Sequence, residues 1–426
     1  MQLIMTLVFI VGYAAIVFEH PLRINKTASA LLTGVLCWVI YIISTPDSGL
    51  VSAQLYDHMG EISGILFFLL GAMTIVELVD AHDGFEAITS RITTSNTRKL
   101  MWIICLVAFF LSAVLDNLTT TIVMISLLRK LIADKKTRMY FIGMVVIAAN
   151  AGGAWTPIGD VTTTMLWIGG QITTANIMVK LFIPSMVCLL VPLTAVSFIF
   201  KGSIKPPEAE VDLNINKTNS FERNLILCLG VSALIFVPIF KTITHLPPFM
   251  GIMFGVAILW IVTEIIHKNK NDEDKGIYSV VHALRKADVP SVLFFLGILI
   301  AISALESTGQ LEEVALYMDK HISNLKIIVV SIGLLSALID NVPLVAATMG
   351  MYDLQTFPTD HFFWEFLAYS AGTGGSCLII GSAAGVVAMG MEKIDFIWYF
   401  KNISWLALLG FFSGVVTYLL QQSFLH

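Results

Sequence analysis

The chain has 426 residues, of which 57% are hydrophobic and only 13% are charged, and its formal net charge at pH 7 is −5. A soluble globular domain carries about 25% charged residues, so this composition excludes an ordinary soluble protein. Apolar runs of about 20 residues, long enough to cross a ~30 Å hydrocarbon core, recur along the whole chain. They lack the period-two alternation of membrane β-barrel strands. The sequence predicts an all-α polytopic membrane protein.

Simple spanning helices are predicted in eight segments. They fall at 2–18, 28–44, 62–79, 178–200, 223–240, 249–266, 289–305 and 397–420. A basic loop at 23–26 follows the first of these spans, and positive charge accumulates on the cytoplasmic side of membranes. Counting spans from that loop places both termini outside.

The segment at 101–128 does not have the character of a simple span. It carries "LSAVLDNLTTT" at its centre, with Asp116 and Asn117 side by side in apolar surroundings. Both of its ends are basic and should therefore lie inside. A segment that starts and ends on one face predicts a re-entrant helical hairpin. Its arms would be about 14 residues long, or ~21 Å, with the tip near mid-membrane.

The same pattern returns at about 327–350, where "LSALIDNVPLV" sets Asp340 beside Asn341. The flanks of this second copy have no basic excess, so this hairpin should open to the outside. A motif that occurs twice, with basic flanks in one copy and no basic excess in the other, is typical of an inverted-topology repeat. We therefore expect two hairpins that enter the membrane from opposite faces.

A glycine-rich stretch follows each hairpin and interrupts what would otherwise be one span. The two stretches are "NAGGAWTPIGD" at 150–160 and "SAGTGGSCLIIGSAAG" at 370–385. Glycine and proline at this density unwind a helix, and unwound backbone survives at membrane depth only where protein or a water-filled cavity satisfies it. The sequence thus predicts two inverted repeats, 1–200 and 222–426, joined by a cytoplasmic linker at 201–221. Each would hold five spans, one of them broken, and one re-entrant hairpin.

Two hairpin tips and two broken helices that meet near the midplane would form a binding site between the repeats. The polar groups there are oxygen donors, without a thiolate or imidazole cluster, and hard cations prefer such ligands. The candidate ligands are Asp116, Asn117, Thr119, Thr120, Asn150, Asp160, Asp340, Asn341, Ser376 and Ser382.

A carboxylate in this setting can also hold a proton, because desolvation disfavours its charged form. One aspartate then carries either a cation or a proton, and we expect this competition at Asp116, Asp160 and Asp340. The structural alternative is that such aspartates only satisfy unwound backbone. Asp160 can also cap a helix that begins at Val161. Glu61 and Asp288 are expected at helix entrances, where an acid favours the positive end of the helix dipole, or else on the ion path.

Five segments carry a resemblance to a known family. "FEHPLRINKTASALLTG", "SAVLDNLTTTIVM", "NAGGAWTPIGDVTTTMLW", "SALIDNVPLVAA" and "AGTGGSCLIIGSAAG" resemble the NhaD-type sodium/proton antiporters of the ion transporter superfamily. The resemblance implies antiport of Na⁺, and of Li⁺, against H⁺ across a bacterial inner membrane. It also implies a homodimer whose transport domain moves against a scaffold domain by an elevator-like mechanism.

Matching the family's motifs residue by residue implies a wider set of functional positions. Na⁺ is expected at Asp116, Asn117, Asp160, Asp340 and Asn341, and the resemblance adds a supporting or ion-path group. The ion-path or supporting residues are Glu61, Ser112, Asp288 and Ser336, and the resemblance also adds Thr162 to the cation- and proton-binding residues. We expect no enzymatic activity, no resident cofactor and no nucleic-acid partner. The expected partners are the lipid bilayer, the transported ions and a second copy of the chain in a homodimer.

Other substrates and classes remain as alternatives. Sodium/dicarboxylate relatives carry Ser-Asn-Thr at the hairpin tips, whereas the serine position here holds Asp116 and Asp340. Two carboxylates at the tips would repel an anion, but arsenous acid is neutral and stays open. An intramembrane aspartyl protease needs Tyr-Asp and Gly-x-Gly-Asp on adjacent spans, and the predicted spans hold neither. A channel is the other non-carrier alternative.

Overall fold

The computed structural model describes residues 2–85, 94–200, 202–204, 219–268, 276–322, 324–338 and 340–425, without the side chains of His20, Pro21 and Leu425. Within these ranges the secondary structure is helical apart from one isolated bridge between Asn96 and Ser203. Eight of the described helices are long and apolar enough to cross a membrane. The predicted all-α membrane class is confirmed. Most of the predicted linker at 201–221 lies outside the described residues.

The first half of the chain forms nine helices within the described residues. They are α1 (Gln2–Val17), α2 (Glu19–Leu22), α3 (Lys26–Ser44), α4 (Ser48–Ala81), α5 (Thr97–Leu115), α6 (Asn117–Leu131), α7 (Lys135–Gly153), α8 (Val161–Ile168) and α9 (Thr174–Ile199). Helices α5 and α6 form the first hairpin, with its tip at Asp116. Helices α7 and α8 are the two pieces of the first broken span.

The second half continues the numbering. Its helices are α10 (Ser220–Thr244), α11 (Pro248–Ile266), α12 (Val280–Lys286), α13 (Val289–Ser307), α14 (Gln310–His321), α15 (Leu325–Leu335), α16 (Asn341–Met351), α17 (Phe362–Gly374), α18 (Ala383–Glu392), α19 (Phe396–Asn402) and α20 (Ser404–Leu425). Helices α15 and α16 form the second hairpin, and α17 and α18 are the pieces of the second broken span.

The helices pack in two groups. In the first, α3 lies along α13 and α1, and α4 packs on α10, α11 and α13. In the second, α5 packs on α7, α15 packs on α17, and α9 lies along α20. We call the first set (α1, α3, α4, α10, α11, α13) the frame group and the second (α5–α9, α15–α18, α20) the hairpin group. Both hairpins and both broken helices belong to the hairpin group.

Polar contacts mark the two ends of the helices. At one end, which we call the basic face, Glu392 of α18 accepts hydrogen bonds from Arg129 and Arg138, on either side of the turn between α6 and α7. At the other end Thr173, before α9, donates its N–H and hydroxyl to Asp360, which follows the second hairpin. The turn that leaves the first hairpin therefore lies on the basic face, and the loop that leaves the second lies on the opposite face.

Three predicted helix boundaries are wrong. Helix α5 has 19 residues instead of about 14, which makes it about 28 Å long at 1.5 Å per residue. Helix α4 begins at Ser48 instead of 62, because the Asp47 side chain accepts the N–H groups of Gly49 and Leu50 and caps it there. The predicted span at 397–420 divides near Ile403 into α19 and α20.

Matched glycines let each broken helix contact the first arm of its hairpin. A Cβ added at Gly152 would lie 2.1 Å from the Phe109 carbonyl oxygen, and one at Gly374 would lie 2.0 Å from that of Gly333. Both distances are far below van der Waals contact, so no larger residue fits without moving a backbone. The close contacts of α7 with α5, and of α17 with α15, therefore depend on these glycines.

We expect Gly152→Ala and Gly374→Ala each to destabilise the protein. Overpacking of this kind costs about 1–3 kcal/mol, so the apparent melting temperature in detergent should fall. Gly390→Ala is the matched control, because a Cβ at that helical position meets no atom within 4 Å. Melting temperatures of the two test variants equal to that of the control would contradict this packing account.

Candidate functional site

Both hairpin tips line one narrow cavity of about 60 Å³ between the two helix groups. Asp116 and Asn117 come from the first tip, Asp340 and Asn341 from the second, and Asp160 from the first broken helix. The frame group supplies the facing wall. The structure therefore brings together the two aspartate–asparagine pairs that lie far apart in the sequence.

Asn117 connects the first tip to the first broken helix. Its Nδ2 donates to Asn150 Oδ1 at 3.0 Å and to Asp160 Oδ2 at 2.7 Å. Asn150 in turn donates from Nδ2 to the Ser382 hydroxyl oxygen at 2.9 Å, in the second broken helix. All four residues are at most 4% exposed. This chain of hydrogen bonds connects the first hairpin tip to both broken helices.

Asp160 uses its two carboxylate oxygens differently. Oδ1 accepts the N–H of Thr162 at 3.0 Å and its hydroxyl at 2.9 Å, which confirms the predicted cap on α8. Oδ2 accepts from Asn117. A carboxylate at a helix N-terminus is stabilised by the positive end of the dipole. One oxygen therefore fixes the helix while the other belongs to the polar cluster.

Asp116 has an unusual backbone conformation at the first tip. Its φ of 88° and ψ of 161° lie in a region that residues other than glycine rarely adopt, at a typical cost of about 1–3 kcal/mol. The carboxylate accepts the Thr119 N–H at Oδ1 and the Thr119 hydroxyl at Oδ2, both at 2.8 Å. The sharp turn ends α5 and begins α6 one residue later, with the aspartate on the cavity wall.

Asp340 at the second tip has a different environment. Its φ is −46°, and Oδ1 accepts one N–H, from Val342 at 3.2 Å. Its other oxygen lies 3.5 Å from the ammonium of Lys26 in the frame group. Lys26 lines the cavity but was not predicted as a site residue, because its charge served only to assign the loop at 23–26 to the cytoplasmic side. A contact with a residue so distant in the chain leaves no local pattern.

Ser112 and Ser336 have matched positions outside the cavity. The Ser112 hydroxyl donates to the Ala149 carbonyl at 2.6 Å, and the Ser336 hydroxyl donates to that of Ala371 at 2.9 Å. Each serine therefore joins the first arm of a hairpin to the broken helix beside it. Their contacts are with backbone, as expected for supporting residues.

Three predicted ligands have side chains directed elsewhere. The Thr119 hydroxyl bonds to Asp116, and the Ser376 hydroxyl donates to the Thr373 carbonyl at 2.6 Å within the second break. The Thr120 hydroxyl is buried and has no hydrogen-bond partner among the described residues. In this conformation none of the three is among the residues that line the cavity.

Glu61 and Asp288 are not among the residues that line the cavity of the hairpin tips. Glu61 lines a second cavity of about 550 Å³ that the end of the second hairpin also borders, together with Glu306. The prediction that Glu61 stands at a helix entrance is wrong, because α4 begins well before it, at Ser48. Asp288 does cap α13, accepting the N–H of Ser291 at 3.2 Å and its hydroxyl at 2.5 Å.

The cavity aspartates do not form a ready-made ligand shell. Within the described ranges, no three carboxylate, imidazole or thiolate side chains converge closely enough to hold one metal ion. Asp116, Asp160 and Asp340 instead line different parts of one cavity wall. The compact part of the site is the cluster of Asn117, Asn150 and Asp160, in which amide and carboxylate oxygens stand together.

Comparison with known proteins gives consistent relatives. The family profile described as a citrate transporter (CitMHS) matches residues 13–364. Sodium/proton antiporter 1 of Arabidopsis thaliana is 51% identical over 97% of this chain and 72% of that protein. Sodium/proton antiporter 2 of the same plant is 49% identical over 99% of this chain and 100% of that protein. The Na(+)/H(+) antiporter NhaD of Vibrio cholerae is 31% identical over 98% of this chain and 92% of that protein.

A solved structure supports the fold. The YdaH transporter of Alcanivorax borkumensis, whose crystal structure is described as having an unusual topology, superposes with a TM-score of 0.61. The superposition covers 94% of this chain and 98% of that chain at 12% identity. At this identity the likeness concerns the fold alone.

The two tip asparagines should differ in their effect on stability. Asn117→Ala removes the donor to two buried oxygens, and a buried polar group left without a partner costs about 1–3 kcal/mol. Asn341 is equally buried, but its Nδ2 has no partner among the described residues. We therefore expect Asn117→Ala to lower the melting temperature in Na⁺-free buffer, and Asn341→Ala to lower it much less. Equal losses in the two variants would contradict the hydrogen-bond assignment.

Proposed function

The chain belongs to the CitMHS family and, within it, to the NhaD-type sodium/proton antiporters, and we propose that it exchanges Na⁺ for H⁺ across the membrane. The observation that carries the proposal is the single cavity that Asp116, Asp160 and Asp340 all line. A carboxylate inside a membrane protein is costly in its charged form and marks function by default. The free-energy cost of each buried carboxylate falls when the carboxylate binds either a metal cation or a proton.

In the proposed mechanism Na⁺ takes oxygen ligands from both hairpin tips and from Asp160. Asp116 and Asn117 come from the first tip, and Asp340 and Asn341 from the second. Asn150, Thr162 and Ser382 hold the cluster through the hydrogen bonds described above, while Ser112 and Ser336 fix the arms. A proton on the same carboxylates removes the negative charge that Na⁺ needs. The two cargoes therefore exclude one another, which couples their movement.

The charges that line the cavity favour a small cation over citrate. Among the described residues of the lining, three carboxylates stand against the single ammonium of Lys26. A di- or tricarboxylate would bring further negative charge next to these aspartates, and Coulomb repulsion in a low-dielectric site is strong. The family profile is named for a citrate transporter, but this chain has acidic residues where an anion would have to bind. Li⁺, which has the charge of Na⁺ and a smaller radius, is proposed as a second cargo.

Paired features support a division into two inverted repeats, 1–200 and 222–426. The hydroxyl contacts of Ser112 and Ser336, and the glycine contacts of Gly152 and Gly374, recur at matched places. We propose that the hairpin group moves against the frame group, since both cavities lie between the two groups. A homodimer that holds the frame group still in the membrane completes this elevator-like proposal.

The proposed orientation puts the basic face in the cytoplasm. Lysine and arginine concentrate at cytoplasmic ends of spans, and the first hairpin has such residues at both of its ends. Both termini would then lie outside, on the periplasmic side of a bacterial inner membrane, as the resemblance to bacterial NhaD proteins implies. Fractionation, together with protease accessibility of tags at the two termini in intact cells, checks this assignment.

Neutral variants of the cavity aspartates test the proposed exchange. In inverted membrane vesicles, added Na⁺ should collapse an imposed pH gradient, and Li⁺ should do the same. We expect Asp116→Asn, Asp160→Asn and Asp340→Asn each to lower the rate at least about tenfold, because one carboxylate can no longer alternate between cation and proton. Asp134→Asn is the matched control, since Asp134 is an exposed cap on α7 and asparagine caps helices equally well.

Two results would contradict the proposal. One is full Na⁺-driven proton movement in all three aspartate variants, which would place the exchange site elsewhere. The other is uptake of labelled citrate by the wild-type protein without any Na⁺-driven change of pH, which would favour the anion alternative. A passive channel would let Na⁺ through without moving protons, so the same vesicles separate that class as well.

A further inference from the structure

Lys26 places a fixed positive charge in the cavity of the hairpin tips. Its ammonium lies 3.5 Å from Asp340 Oδ2 and 4.5 Å from the centre of the Phe294 ring. The side chains of Lys26 and Asp340 are 25% and 18% exposed. An ion pair at such partial burial is less screened than a surface pair. Lys26 therefore belongs electrostatically to the site, although it comes from a distant part of the chain.

The backbone and the ring hold Lys26 in place. It is the first residue of α3, and its N–H donates to the Glu19 carboxylate at 3.2 Å. The Phe294 ring belongs to α13, the helix along which α3 packs. A cation over an aromatic face gains about 0.5–2 kcal/mol. The ammonium thus has a second favourable contact that does not depend on Asp340.

A difference between the hydrogen bonds of the two hairpin tips explains why only the aspartate of the second tip needs an ammonium partner. At the first tip, Thr119 gives Asp116 two hydrogen bonds, from its N–H and its hydroxyl. The matching position at the second tip is Pro343, which has neither group. Among the described residues, Asp340 therefore receives one hydrogen bond, from the Val342 N–H at 3.2 Å, and its negative charge is less compensated by hydrogen bonds than that of Asp116. Lys26 supplies that charge in this structure.

We propose that Lys26 is a resident counter-cation of Asp340 that Na⁺ must displace, and that it thereby sets the Na⁺ affinity of the exchanger. The inference rests on the proposed function, since it takes Na⁺ as the competitor. An ammonium and Na⁺ carry the same charge, and each one reduces the attraction of the carboxylate for the other. On displacement the ammonium keeps its contact with the Phe294 ring.

The same pair crosses the boundary between the two helix groups. Lys26 belongs to the frame group and Asp340 to the hairpin group, so a relative movement of the groups requires the pair to open. Displacement by Na⁺ opens it when cargo is bound. Lys26 thereby resists movement of a tip that carries no Na⁺.

The chain offers a matched control lysine. The ammonium of Lys241 lies 4.5 Å from the centre of the Trp167 ring and donates to the Trp167 carbonyl at 2.6 Å. It borders the larger cavity on the opposite face. Lys241 therefore shares the aromatic contact of Lys26 but has a carbonyl oxygen as its partner in place of an aspartate.

The first measurement is equilibrium binding of radioactive Na⁺ to the purified full-length protein at alkaline pH. We expect Lys26→Gln to lower the half-saturating Na⁺ concentration about tenfold, or about 1.4 kcal/mol, because the competitor is gone. Lys26→Arg keeps the charge and should stay close to wild type, and Lys241→Gln should not differ from it. Unchanged or weaker binding by Lys26→Gln, with a normal melting temperature, would overturn the proposal and leave Lys26 a structural clamp.

The second measurement follows the amine itself. Cyanate labels free amines, and peptide mass spectrometry reports the labelled fraction at each lysine. In the wild type, Na⁺ should raise the labelling of Lys26 but not of Lys241, and an equal concentration of choline chloride should raise neither. Asp340→Asn should show high labelling of Lys26 without Na⁺, because its partner is gone. Low labelling in that variant would overturn the assignment of the pair.

The two arms separate failure of the inference from failure of the proposed function. If the wild-type protein bound no Na⁺ while Asp340→Asn still freed Lys26, the ion pair would be real and the proposed Na⁺ exchange would be wrong. The proposed displacement of Lys26 by Na⁺ would then also be wrong. If Na⁺ bound normally but left the labelling of Lys26 unchanged, only the displacement would be wrong.

Discussion

The structure depends on how negative charge is compensated inside the membrane. Each of the three cavity aspartates meets this constraint in a different way. Asp116 receives two hydrogen bonds from Thr119, Asp160 caps α8 and receives an amide donor from Asn117, and Asp340 faces the Lys26 ammonium. None of these partners places a full positive charge beside both oxygens of a carboxylate. In the proposed exchange, the three carboxylates are therefore partly compensated without cargo and remain available to bind a cation.

The helix packing serves the same constraint. Two hairpin turns and two helix breaks expose backbone that lipid could not satisfy, so they must meet inside protein. The small residues of the breaks allow this, because the Gly152 and Gly374 positions put one helix backbone directly against another. The paired serine contacts then fix each hairpin arm to its broken helix. Polar groups from both halves of the chain are thereby held on one cavity wall.

Much of this arrangement could be predicted from the sequence, because it depends on local sequence patterns. The repeated Leu-Ser-Ala-x-x-Asp-Asn motif located both tips, the glycine-rich stretches located both breaks, and Asp160 before Val161 located a helix cap. Two kinds of feature were not predictable. The first part of α4 includes the polar residues Asp57 and His58, so hydropathy placed its start too late. The Lys26–Asp340 pair joins residues on different helices, and no spacing rule connects them.

The central claim is that one set of carboxylates holds either Na⁺ or H⁺. Proton release from the purified protein into weakly buffered solution, recorded by a pH indicator while NaCl is added, tests it most directly. The account predicts that Na⁺ binding releases protons in proportion to the Na⁺ bound, and that release disappears when Asp116, Asp160 and Asp340 are all replaced by asparagine. Na⁺ binding that saturates without releasing any proton would contradict it.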